Sequence, residues 1–131
     1  MLSTRPSGLA ALLLASLTCE LATAQPTPDQ QAEAILNAGR KAYNEGNPQF
    51  AAERFAELIA KFGGSKAAPA ARYGLGLATL DLPDRNYQKA YEAFSPLMGD
   101  ANFPDRPLAV YYAAACQRGL GQKELAEGVA K

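Results

Sequence analysis

The groups that could do chemistry in this chain are few, and their spacing suits no common catalytic arrangement. The 131 residues contain no histidine, which removes the commonest general base and metal ligand at neutral pH. Cys116 lies in an alanine-rich run from Tyr111 to Gln117. A nucleophilic thiolate needs a basic neighbour, whereas a small buried thiol packs like alanine. Asp81 and Asp84 flank Pro83 in a short turn. A hard cation takes about six to eight oxygens, so two carboxylates at this spacing read as a solvated turn with a helix cap. Gly74-Leu75-Gly76 holds two glycines of a dinucleotide fingerprint, but Thr79 occupies the third place and no strand precedes it. Two glycines at a tight helix crossing is the plainer reading. The chain is therefore expected to be noncatalytic, with no resident metal or cofactor.

The elements that would position any binding group are helices. From Ala32 to Phe62 two apolar stripes recur at helical spacing, one through Ile35, Ala38, Gly39 and Ala42, the other through Ala51, Phe55, Leu58 and Phe62. Gly46-Asn47-Pro48 lies between them, so the stretch is a helical hairpin. Residues 25–31 form a linker and helix start. Thr27 and Gln30 have capping-box spacing, and Pro28 falls at the first helical position. The first helix is expected to end near Glu45, with Gly46 as its stop and Asn47-Pro48 as N-cap and first residue of the second. The second should stop at Phe62, with Gly63-Gly64 as a left-handed C-cap and Ser65 capping a third helix. Loops this short make neighbouring helices antiparallel.

The hairpin has internal copies. Leu75-Gly76 matches Ala38-Gly39, while Ala90, Phe94 and Leu97 match Ala51, Phe55 and Leu58. The intervals are 37 and 39 residues, the excess lying in the turn Asp81 to Arg85. A third copy opens near Leu108, with an expected turn at Gly119-Leu120-Gly121 and Ala126 in the place of Ala51 and Ala90. The units run about 32–65, 69–103 and 107–131, the last incomplete. A stack of this kind needs about three units and a polar cap. The chain is accordingly expected to be part of a longer repeat protein, with Phe94, Leu97 and Val110 under incomplete cover.

Composition limits the partners. Thirteen basic and thirteen acidic residues cancel, so no charge excess draws the chain to nucleic acid or an anionic membrane. An apolar fraction of 48% supports one packed domain. Residues 1–24 have the order of a secretory signal peptide: Arg5, then the apolar run Leu9 to Leu17, then Ala22-Thr23-Ala24 before Gln25. Cleavage is expected between Ala24 and Gln25, and the apolar run is shorter than the roughly 20 residues a membrane span needs. Cys19 offers a rival account as a lipidated first residue, the one route to the membrane; Ser16-Leu17-Thr18 before it fits that pattern poorly. After cleavage Cys116 is the sole cysteine, and no internal disulfide can form.

Ala32 to Ser65 spans 34 residues and resembles a tetratricopeptide repeat (TPR). Ile35, Ala38 and Gly39 fall at the bulky, Leu and small positions of its first helix, and Ala51, Phe55 and Leu58 at the matching positions of its second. Ala42 stands where that family has a Tyr, and Gly63 replaces the closing Pro. The stretch Arg54 to Leu80 is also similar to exported bacterial members, among them the periplasmic coordinator of the Tol-Pal system and the lipoprotein of the barrel-assembly machinery. The resemblance implies an all-α fold, a right-handed α-α superhelix of antiparallel helix pairs, and a protein or peptide partner held in a groove lined by the first helix of each pair. Carried onto this sequence, the groove positions are Leu36, Arg40, Tyr43 and Asn44, then Tyr73 and Leu77, then Tyr111 and Arg118. Tyrosines among leucines and arginines suit an extended peptide; equally, Tyr73 and Tyr111 could pack between helices with their hydroxyls at the rim. Leu36 and Arg40 replace the Lys and Asn of the carboxylate-clamp subclass, which argues against chaperone-tail binding. The expected function is a noncatalytic exported scaffold in the periplasm or cell envelope. The alternatives are a structural subunit of an envelope assembly and an accessory N-terminal domain of a larger secreted enzyme.

Overall fold

The structure, a computed structural model, describes residues 24–129, and side-chain surroundings up to residue 124. Cys19 and all of the expected signal peptide except Ala24 lie outside the described residues, as does the side chain of Ala126. The only regular elements among the described residues are helices, with no strand. Five helices follow in order: α1 (Pro28–Asn44), α2 (Pro48–Phe62), α3 (Ala68–Asp81), α4 (Tyr87–Met98) and α5 (Arg106–Val129). Each packs on the next, and α1 also touches α3.

The helix starts follow local chemistry. At α1 the capping box is complete: Gln30 N donates to Thr27 Oγ1 at 3.2 Å, and Thr27 N donates to Gln30 Oε1 at 2.9 Å. Asn47 Oδ1 caps α2 by accepting from Phe50 N at 3.1 Å, with Pro48 as the first helical residue. Gly46 turns the chain between them at φ 77°, a left-handed value that suits glycine.

Two expected caps take a different form. Gly63 has φ −61° and ψ −18°, so α2 ends in right-handed geometry. The chain after it tightens into successive turns, with Ser65 N donating to Phe62 O at 2.9 Å and Ala68 N to Ser65 O at 3.2 Å. Ser65 therefore serves α3 through its carbonyl. Its hydroxyl is buried without a partner, and Ala67 holds the N-cap position with no side-chain bond.

The helices bury two cores. One is built on Leu36, Phe55, Leu58 and Ala71, the other on Phe94, Leu97, Phe103 and Cys116. Glycines let the aromatic rings in. A Cβ on Gly39 would stand 2.5 Å from Phe55 Cε1, and one on Gly74 would stand 2.6 Å from the far side of the same ring. A Cβ on Gly76 would stand 2.4 Å from Phe94 Cζ. Gly74 and Gly76 are thus crossing glycines, each serving a different core.

The expected third hairpin is absent from the described residues. Instead α5 runs unbroken for 24 residues through Gly119-Leu120-Gly121. Gly119 is a crossing glycine too: its Cβ would lie 2.7 Å from the Tyr87 ring. A glycine read as a turn is here the spot where α4 and α5 approach. The expected thin cover holds at one of three positions, since Val110 is 43% exposed while Phe94 and Leu97 are buried. Tyr112 stacks on Phe94 at 5.5 Å between centroids and Tyr73 meets it edge-on at 5.9 Å, which explains why that core is closed.

Candidate functional site: a cleft between the first and third helices

Where α1 and α3 run side by side, a cleft of about 350 Å³ opens between them. Arg40, Tyr43 and Asn44 line it from α1, and Ala70, Tyr73, Gly74 and Leu77 from α3. Phe55 forms part of its floor, and Phe103 and Asp105 close it from the joint before α5. On α1 the lining positions 40, 43 and 44 share one helical face, as do 70, 73, 74 and 77 on α3.

The two walls are tied at one end. Tyr43 Oη donates to Asp81 Oδ2 at 2.7 Å, joining α1 to the last residue of α3. Burial, then the bond to Asp81 and the negative charge of that carboxylate, push the Tyr43 hydroxyl up to about 12. Tyr43 is accordingly a neutral donor at every physiological pH. Tyr73 is half-buried, its ring 5.7 Å from Phe103 and 6.2 Å from Tyr112 between centroids. Burial raises its hydroxyl above the ordinary tyrosine value, with Tyr112 and the Asp105 carboxylate adding to the effect. The Tyr73 ring packs between helices and also borders the cleft.

Of the eight expected groove residues, Arg40, Tyr43, Asn44, Tyr73 and Leu77 come together here. Leu36 does not. It is 2% exposed and shares the buried stripe of Ala32 and Gly39, so it belongs to the core beneath the cleft. Tyr111 and Arg118 do not line the cleft either. Both are exposed on α5, whose buried stripe is Ala109, Ala113 and Cys116, and Tyr111 meets its neighbour Tyr112 edge-on at 5.4 Å. Phe103, Asp105 and Phe55 are lining residues that the carry-over of helix positions missed. Phe103 had one signal: a large apolar residue inside an otherwise polar, proline-rich joint.

Cys116 is fully buried, and burial raises its thiol above the ordinary value, which disfavours thiolate. Asp81 is engaged by Tyr43, and no group of three metal-ligating side chains gathers among the described residues. On the outer side of α2, Glu57 pairs with Arg54 and Lys61, both at 2.8 Å. The Lys61 hydrogen bond holds the Glu57 carboxyl below its usual value. No helix among the described residues is long and apolar enough to cross a membrane.

The cleft brings a guanidinium, a carboxamide and a carboxylate around an aromatic floor. Comparison with protein-family models, with curated proteins and with solved structures finds no match to this chain.

Proposed function

We propose that this chain is a noncatalytic helical-repeat scaffold of the tetratricopeptide type, exported to the periplasm or cell envelope, which binds a protein or peptide in the cleft between α1 and α3. In this reading the successive helix pairs belong to a right-handed α-α superhelix. The observation that carries it is the convergence of Arg40, Tyr43, Asn44, Tyr73 and Leu77 on one cleft. Those are groove positions of two successive units. The paired interlocks Gly39–Phe55 and Gly76–Phe94 support the repeat, and the leader with its Ala22-Thr23-Ala24 site supports export.

An extended peptide suits the cleft physically. Tyr43 and Tyr73 offer contact area at small entropic cost, Asn44 can bond a peptide backbone, and Arg40 can fix a carboxylate or carbonyl. The test is selection from a displayed random peptide library against the mature protein. Selected peptides should bind with saturable affinity and lose about tenfold or more against Tyr73→Ala or Arg40→Glu. Peptides whose affinity ignores both substitutions would count against the cleft.

A further inference from the structure

The helices α2 and α4 begin alike. Asn47, Gln49, Ala51, Glu53, Phe55 and Leu58 recur 39 residues later as Asn86, Gln88, Ala90, Glu92, Phe94 and Leu97. The fold accounts for four of these six. Both asparagines cap their helices through the side chain, and the alanines, phenylalanines and leucines are buried. Packing does not account for the glutamines and glutamates, which are all exposed. Yet they repeat in geometry too: Gln49 Nε2 donates to Glu53 Oε1 at 3.1 Å, and Gln88 Nε2 to Glu92 Oε1 at 3.0 Å.

The two carboxylates so oriented stand on facing walls of a groove between α2 and α4. Its volume is about 560 Å³, larger than that of the cleft. It lies on the opposite face of α3: residues 72, 75 and 79 line it, where 70, 73 and 77 line the cleft. Ala52, Ala56, Ile59, Leu75 and Ala93 give it an apolar lining, and the alanines leave room for another backbone to come close. Its charges are graded along its length. Arg72 lies toward the α2 C-terminus, half-buried and with no carboxylate within 4.0 Å among the described residues. Asp84, in the α3–α4 turn, lies at the other end, and Lys89 shares the α4 wall with Glu92.

We propose that this groove docks an amphipathic helix of a partner protein, its basic side chains on Glu53 and Glu92 and its C-terminal carbonyls at Arg72. The apolar lining takes the helix's i, i+3, i+4, i+7 stripe. Charge complementarity sets its direction: the negative end of the helix dipole meets Arg72 and the positive end meets Asp84, so the docked helix runs antiparallel to α3. This site is independent of the cleft reading. A Gln–Glu pair at this spacing also steadies its own helix, so binding and melting must be read separately.

The probe is a labelled synthetic peptide of about 18 residues, with leucines in that stripe and lysines flanking it, beside a twin carrying glutamates for the lysines. Fluorescence anisotropy with the full mature chain should show the lysine peptide binding and its twin not. The double variant Glu53→Lys/Glu92→Lys should weaken the lysine peptide about tenfold or more and admit the glutamate twin. A double variant of equal net charge, Asp29→Lys/Glu45→Lys, should keep wild-type affinity, and circular dichroism should show all variants folded. Equal binding of both peptides, no saturable binding up to about 1 mM, or a loss that follows Arg40→Glu instead would each overturn the assignment. So would concentration-dependent self-association abolished by Glu53→Lys/Glu92→Lys, which would make a second copy the occupant.

Discussion

Tyr43 and Asp81 are 38 residues apart in sequence, and their 2.7 Å hydrogen bond joins the α1 wall of the cleft to the end of α3. It is a contact between alternate helices, made beside the packing of both on α2. Replacing Tyr43 by Phe keeps the ring and removes this bond. A net loss of about 0.5–1.5 kcal/mol in unfolding free energy is expected, measurable by urea denaturation.

The same bond gives stability a dependence on alkaline pH. The folded-state value of Tyr43 stands near 12 against an ordinary 10.0, so folding favours the protonated hydroxyl. Its contribution is complete below pH 10 and is lost as pH rises toward 12. Melting temperature should fall more steeply over that window in the wild type than in Tyr43→Phe. Parallel profiles would contradict the coupling.

The glycines inside helices divide into two classes that a single substitution separates. At Gly39 and Gly76 an added methyl meets the buried Phe55 and Phe94 rings at 2.5 and 2.4 Å. Gly39→Ala and Gly76→Ala should destabilise by about 1–3 kcal/mol, although alanine is the better helix former. At Gly121 nothing lies within 4 Å and the backbone is helical. There Gly121→Ala should stabilise by about 0.5–1 kcal/mol. A turn at Gly119-Leu120-Gly121 predicts no such gain, so thermal melts of this variant test whether α5 is continuous.

The two asparagine caps should behave as equivalents. Asn47→Ala and Asn86→Ala each remove a bond of 3.1 or 3.0 Å to a first-turn amide. Each should cost about 1 kcal/mol, and the sites lie in different helix pairs, so the double variant should show additive loss. Chemical denaturation of the three variants checks both points.

Most of the fold was readable because it rests on local signals. The capping box at Thr27, the Gly46-Asn47-Pro48 turn and the stripe through Ala51, Phe55 and Leu58 each specify geometry within a few residues. The errors lie where one residue type serves two purposes. Glycine can turn a chain or admit a ring, and only the position of Tyr87 across the helix interface shows that Gly119 does the second. Leu36 fits a groove or a core equally well by type, and its place is fixed by the rotation of α1 against α2. The cleft was half legible for the same reason: helix-face residues such as Arg40 and Tyr73 follow from periodicity, whereas Phe103 and Asp105 arrive by way of a joint with no periodicity to read.

Backbone amide chemical-shift mapping of a selected peptide on the folded chain tests the central claim most directly. The account predicts saturable shifts centred on Arg40, Tyr43, Asn44, Tyr73 and Leu77, abolished by Tyr73→Ala in a variant that stays folded. Shifts centred elsewhere while those five stay silent would contradict it.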